Sequence, residues 1–246
     1  MAYMVDENRS EGPLRSARDR TLDAMRRAII TLRLKPGAPL SENELASEFA
    51  VSRTPVRESL ILLREEGLVE VYPQIGTFVS LVDPERVRQA QFVREAIECT
   101  SLAQARPPFS AEQVADLRAV LDSQGEADAA GDHDRFFELD EEFHRSLLAL
   151  AGNGSAWGTV NAAKAHLDRA RRLSLIDTRP IGELVEQHAG VVDAVAEGRT
   201  DEAVEALRAH LRAVFDDVER IRSASPELFS DGRPRRPVRR SVASLR

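Results

Sequence analysis

The chain has a single cysteine, Cys99, in 246 residues. One thiol can make neither an intrachain disulfide nor a cysteine-based zinc site, so stability must come from a packed core. No run approaches the ~18 apolar residues that a membrane helix needs. The amino terminus carries Asp6, Glu7 and Glu11 and has no apolar stretch behind a basic start, so it does not read as a signal peptide. A soluble, cytoplasmic protein without a membrane partner is the expectation. There is no internal repeat and no glycine-rich phosphate loop. Excess positive charge is lacking too, since the net charge is −7. Residues 1–80 hold 11 basic and 12 acidic side chains, residues 81–222 hold 17 and 27, and residues 223–246 hold 6 and 2. Such a chain is not a bulk polycation. If it meets nucleic acid, it does so through locally placed arginines, with the acidic half held away from the phosphates.

What is present is mostly helical periodicity, so the expected fold class is mainly α. Residues 1–13 are polar and read as disordered. Leu22, Met25, Ile29 and Leu32 keep a helical spacing that Lys35-Pro36-Gly37 ends. Ser41-Glu42-Asn43-Glu44 reads as a capping box opening a short helix with Leu45, Ala46 and Phe49 inward. Three residues later a second helix begins, with Pro55 in its first turn, Gly67 past its end and Val56, Leu60 and Leu63 as its core face. Leu68–Tyr72 and Thr77–Val82, joined by a Pro73–Gly76 turn, read as a two-stranded hairpin. Three helices and a hairpin make a winged helix-turn-helix over residues 14–82. Asp83-Pro84 caps the next helix. The remainder, 83–222, predicts an all-helical bundle of about six helices, near 84–106, 110–130, 133–151, 155–176, 182–197 and 200–222. Ser110 and Gln113 form a further capping box. Residues 223–246, with Arg233-Pro234-Arg235-Arg236-Pro237, read as a disordered basic tail.

The bundle carries a pattern that needs explaining. Asp140 and His144 are four apart on one helix face, among Phe136, Phe137, Phe143 and Leu147. His188 lies in the stripe Leu184, Val185, Val191, Val192, and His210 in Val204, Leu207, Leu211, Val214. Polar groups on buried faces are costly unless satisfied. A divalent ion would satisfy them, and neutral imidazole with carboxylate is a normal ligand set. Zinc leads, with nickel and manganese compatible. His133 between two aspartates reads as solvated, and His166 fits either environment.

The run Val51-Ser52-Arg53-Thr54-Pro55-Val56-Arg57-Glu58, with Leu45-Ala46, Glu66-Gly67-Leu68-Val69 and Gly76-Thr77-Phe78-Val79, resembles the GntR family of bacterial transcription regulators. Arg53 and Arg57 share one face at the start of the second helix, from which a guanidinium reaches guanine O6 and N7. Thr54 and the helix N-terminus face phosphate. Gly76 lets the wing tip turn tightly against the DNA. The resemblance implies a DNA contact at Asn43 as well, although asparagine cannot make a phosphate ion pair. Taken without the resemblance, Arg53 and Arg57 also fit a solvated face pairing with nearby acids.

The second half is similar to the FadR-type C-terminal (FCD) domain, on Val93-Arg94-Glu95 with Glu98, Asp140-x3-His144, Glu186-x-His188 and His210. That likeness implies a metal held by Asp140, His144, His188 and His210, with open positions for a small organic-acid or sugar-acid effector. Arg94 would be the second anchor for its carboxylate, the alternative being a buried pair with Glu98. Together the two halves imply a ligand-responsive regulator, expected to be a repressor and a homodimer on a near-palindromic double-stranded operator. The competing reading is a metal-dependent helical-bundle enzyme. It would need a positioned acid or base near the ion, and Glu141 and Glu142 point off the Asp140 face.

Overall fold

The computed structural model describes residues 16–177 and 180–232. The expected disordered start, 1–13, and the Arg/Pro-rich run from Arg233 lie outside the described residues. Helix α1 (Ala17–Ile30) is capped by Ser16, whose hydroxyl accepts from the Asp19 amide at 3.1 Å. A short strand β1 (Pro39–Leu40) leads to α2 (Glu42–Glu48), α3 (Arg53–Glu65), β2 (Val69–Tyr72) and β3 (Gly76–Val79). Met25, Ile29, Leu45, Val56, Leu60 and Leu63 close into one core beneath Leu68 and Val79. This is the expected winged helix-turn-helix with two amendments. The hairpin is a three-stranded sheet of order β1-β3-β2, with Pro39 opposite Phe78 and Leu40 opposite Thr77. A two-residue strand carries no periodicity by which it could be foreseen. The Ser41 cap is half a box: its hydroxyl accepts from the Glu44 amide at 3.4 Å, and the Glu44 carboxylate does not reach back to the Ser41 amide.

Residues 84–224 form α4 (Pro84–Gln104), α5 (Ala111–Ala129), α6 (His133–Leu150), α7 (Trp157–Ala163), α8 (Ala165–Asp177), α9 (Ile181–Ala196), α10 (Thr200–Arg212) and α11 (Val214–Ala224). Among the described residues the expected six helices are therefore eight, because two of them are broken. The 155–176 helix breaks at Lys164, whose ψ is 1° and whose ammonium is buried between Glu141 (2.5 Å) and Asp168 (2.6 Å). The 200–222 helix is interrupted at Ala213, where the buried Gln91 amide donates to the Leu211 carbonyl at 2.6 Å and takes it from the helical ladder. Each break coincides with a contact from a distant side chain, Glu141 at Lys164 and Gln91 at Leu211, and neither break point is itself a glycine or proline. The capping box at Ser110 and Gln113 forms in full.

The basic tail was expected to begin at 223, but α11 continues to Ala224 and residues 226–230 are folded. Phe229 is 1% exposed. The Val82 amide donates to the Leu228 carbonyl and the Ser230 amide to the Val82 carbonyl, both at 2.9 Å. One buried aromatic, too short for a periodic signal, anchors the segment to the junction of the two halves. Among the described residues, no helix is long and apolar enough to cross a membrane.

Candidate metal centre and nucleic-acid interface

Asp140 and His144 on α6, His188 on α9 and His210 on α10 converge, with one ligand atom from each lying within 4.8 Å of the others. All four are buried. The tautomers explain the arrangement. His144 Nδ1 lies 2.7 Å from Glu98 Oε2, His188 Nδ1 2.9 Å from Gln124 Oε1 and His210 Nδ1 2.9 Å from Gln187 Oε1. The Gln124 and Gln187 oxygens are acceptors, so the His188 and His210 Nδ1 atoms carry the hydrogen and their Nε2 atoms present lone pairs inward. The Glu98 carboxylate, close to His144 Nδ1 but not aligned for a hydrogen bond, favours the same tautomer there. Gln124 is itself oriented, since its amide nitrogen donates to the Leu139 carbonyl at 3.1 Å. The His188 and His210 Nε2 atoms then face each other at 3.1 Å with no proton between them. His144 Nε2 and Asp140 Oδ2 have no hydrogen-bond partner at all. Inward lone pairs beside a carboxylate, fixed by outer acceptors, are the donor set that a divalent cation completes.

Electrostatics agree. Burial pushes His188 down to about 3, and burial likewise lowers His144 and His210, so all three rings are neutral. Burial opposes the charge on Asp140, but the Arg171 guanidinium, with a smaller contribution from Arg94, holds the carboxyl well below its usual range. Arg171 Nη2 approaches Asp140 Oδ1 at 2.6 Å. Glu98 is held at about 2: burial raises it, and Arg94 and His144 together more than offset that. Arg94 Nε donates to Glu98 Oε1 at 2.6 Å, so the buried pair exists. The same guanidinium also lines a cleft with Arg171, Ser174, His210 and Leu211. In this conformation the cleft volume is about 30 Å³, little more than one water requires.

Sequence reasoning named the four residues that converge here and Arg94 near them, and did not name Gln124, Gln187 or Arg171. A glutamine or arginine on a long helix reveals its direction only once its partner is known. Glu98 was visible as a motif residue, but not as the carboxylate beside His144 Nδ1. His133 is exposed, as expected, whereas His166 is buried at the junction of the two halves. Its Nδ1 accepts from the Asp83 amide and its Nε2 donates to the Gly67 carbonyl, both at 3.1 Å. Beside it the fully buried Arg169 donates to the Ser80 hydroxyl at 3.2 Å and to the Ser80 carbonyl. Helix α8 thus carries Arg171 toward Asp140 and His166 and Arg169 toward the winged domain. Gly67 adopts φ +76°, and a Cβ there would lie 2.1 Å from the Arg86 guanidinium, which donates to the Glu66 carbonyl across the same junction.

On the opposite side of the winged domain, Arg53, Thr54 and Arg57 stand exposed at the start of α3, with Asn43 exposed on α2 and Gly76 at the hairpin end with φ +146°. Both arginines meet Glu42 at the first position of α2. Arg57 donates through Nε (3.0 Å) and Nη2 (2.9 Å), and Arg53 through Nη2 (3.0 Å). The pairing with a nearby acid is therefore real, but it leaves both arginine side chains about 60% exposed (59% and 62%).

Comparison with known proteins gives the geometry its context. Residues 17–79 match the gntR family of bacterial regulatory proteins, and residues 89–213 match the FCD domain. An uncharacterized HTH-type transcriptional regulator in an unstable DNA locus of Streptomyces ambofaciens is 54% identical over 89% of this chain and 92% of its own. The HTH-type transcriptional repressor RspR of Escherichia coli K12 is 36% identical over 84% of this chain and 91% of its own. The solved structure of E. coli McbR/YncC superposes with a TM-score of 0.71 at 18% identity, covering 85% of this chain and 99% of that one, a likeness of fold. The chain belongs to the GntR family of transcriptional regulators, with a winged helix-turn-helix followed by an FCD domain.

Proposed function

We propose that the protein is a repressor that binds a near-palindromic operator as a homodimer, and that a small organic-acid or sugar-acid effector in the metal-containing helical half controls that binding. The observation that carries this reading is the convergence of three Nε2 lone pairs and a carboxylate in a buried interior, beside the Arg94 and Arg171 guanidiniums. Asp140, His144, His188 and His210 would hold a divalent ion, zinc by preference, with nickel or manganese compatible. When bound, the ion supplies a Lewis-acid centre with open positions for a carboxylate oxygen. Arg94 would take the remaining oxygen or a second acidic group. The cleft is too tight for such a guest as it stands, so binding selects a conformation in which it opens.

Helix α8 gives that opening a mechanical route, because it joins the Asp140 carboxylate to Ser80 and Gly67 of the winged domain. RspR is named as a transcriptional repressor, which supports the repressive sign. Phe92 of α4, 75% exposed, and Phe215 of α11, 38% exposed, border one shallow depression and supply an apolar face for a second copy. Arg53, Thr54 and Arg57 are the proposed base and phosphate contacts, with Asn43 and Gly76 at the periphery.

The test uses a duplex that the protein selects from a random-sequence pool. Its affinity is measured on zinc-loaded protein with a panel of small carboxylates. One of them is expected to weaken binding by roughly tenfold or more. The same compound should do nothing to a His144→Ala, His210→Ala double variant. Indifference of the zinc-loaded wild type to the whole panel would sink the effector reading and leave DNA binding standing.

A further inference from the structure

We infer that Glu42 is a positioning residue for DNA readout: it braces Arg57 from the side so that the far edge of the guanidinium points at a base, and it sets specificity without touching DNA. A guanidinium has five N–H donors. Arg57 uses its Nε and one Nη2 hydrogen on Glu42, at 3.0 and 2.9 Å. The three that remain lie on Nη1 and Nη2, the end-on fork that matches guanine O6 and N7. Arg53 is tied to the same Oε2 at 3.0 Å, which fixes the separation of the two cations. Three side chains from two helices thus define one recognition unit. Its donors are ordered before DNA arrives, which lowers the entropy cost of binding.

The carboxylate has a second consequence. It places one negative charge beside two cations on a surface meant for a polyanion. A phosphate-only encounter gains nothing from an ordered fork and suffers the repulsion, whereas a correctly placed guanine uses the fork. Glu42 therefore weakens non-specific binding and strengthens discrimination, a combination that no simple competitor for the arginines would produce. Its carboxyl is held at about 2 by the Arg57 and Arg53 hydrogen bonds against a smaller effect of burial, so it is charged throughout the useful pH range. The inference rests on the chain reading DNA through α3.

The experiment compares Glu42→Gln and Glu42→Asp with wild type at fixed salt, on the duplex that wild type selects from a random pool and on a scrambled duplex of equal composition. Glu42→Gln should bind the scrambled duplex several-fold tighter and the selected one more weakly. The ratio of the two affinities should fall by roughly tenfold or more. Glu42→Asp keeps the charge but withdraws it by one methylene. It should lose discrimination without gaining scrambled-duplex affinity. Matched circular dichroism and thermal midpoints establish that both variants fold. If Glu42→Gln raises both affinities equally, Glu42 is only a competing anion and the inference fails. Unchanged affinities in both variants also overturn it. Absence of any selected duplex for wild type would instead overturn the reading on which it rests.

Discussion

His166 holds the two halves of the molecule together only as a neutral ring, because one nitrogen must accept from Asp83 while the other donates to Gly67. Burial, with Arg169 beside it, pushes its pKa down to about 4 from 6.5. The unfolded chain binds a proton below 6.5, whereas the folded one resists until about 4. Stability from this residue is therefore complete above the unfolded value and is lost as pH falls through that window, by an amount on the order of 3 kcal/mol. Urea unfolding at about pH 7.5 and about pH 5 should show the loss in wild type and a smaller one in His166→Gln. Equal pH slopes would remove His166 from the linkage. At the DNA face, Arg57→Ala should cost about 1–3 kcal/mol of operator affinity at fixed salt if its fork meets a guanine; unchanged affinity in a folded variant would exclude the contact. The residues legible in the sequence were those whose neighbours gave them a direction. Asp140 and His144 share a face by spacing, and His188 and His210 sit in valine and leucine stripes. Gln124, Gln187, Arg171 and Glu42 act through partners 15 to 64 residues away or on another helix, and no local pattern encodes that.

The turn between α2 and α3 is where an element boundary stores strain. Ala50 adopts φ +53° so that the Val51 amide can reach the Ala46 carbonyl at 3.0 Å. A left-handed alanine costs about 1–2 kcal/mol, and a glycine there would cost about 0.5–1 kcal/mol in unfolded-state entropy. Ala50→Gly should therefore stabilise the winged domain by up to about 1 kcal/mol, measured by denaturant midpoint. A destabilised variant would mean that the Ala50 methyl group packs usefully in the turn. The same reasoning shows why helix existence was readable and helix continuity was not. Caps at Ser41, Asp83 and Ser110 announce starts by short-range chemistry. The breaks at Lys164 and Ala213 answer to Glu141 and Gln91, which tertiary packing brings in, and residues 226–230 fold because Val82 offers an unpaired edge.

At the scale of the whole molecule, a metal bound by Asp140, His144, His188 and His210 would tie α6, α9 and α10 together and neutralise the carboxylate that Arg171 now serves. An ion present at about a hundred times its dissociation constant adds about 2.7 kcal/mol. For a chain of this size that corresponds to a rise of roughly 5–10 °C in thermal midpoint. Protein stripped with chelator and reloaded with zinc should show this rise, and the His144→Ala, His210→Ala variant should not. The more searching measurement asks how far the stabilisation travels. Arg171, Arg169 and His166 lie on one helix, and the last two bond to Ser80 and Gly67, so zinc should also slow amide exchange in the hairpin of residues 69–79. Arg169→Met removes the bonds to Ser80 without touching the ligands. In that variant zinc should still raise the midpoint of the helical half, while its effect on hairpin exchange shrinks. Zinc protection confined to the helical half in wild type would break the proposed route through α8. Equal hairpin protection with and without Arg169 would move the route elsewhere, to the Val82–Phe229 seam or the Arg86–Glu66 bond.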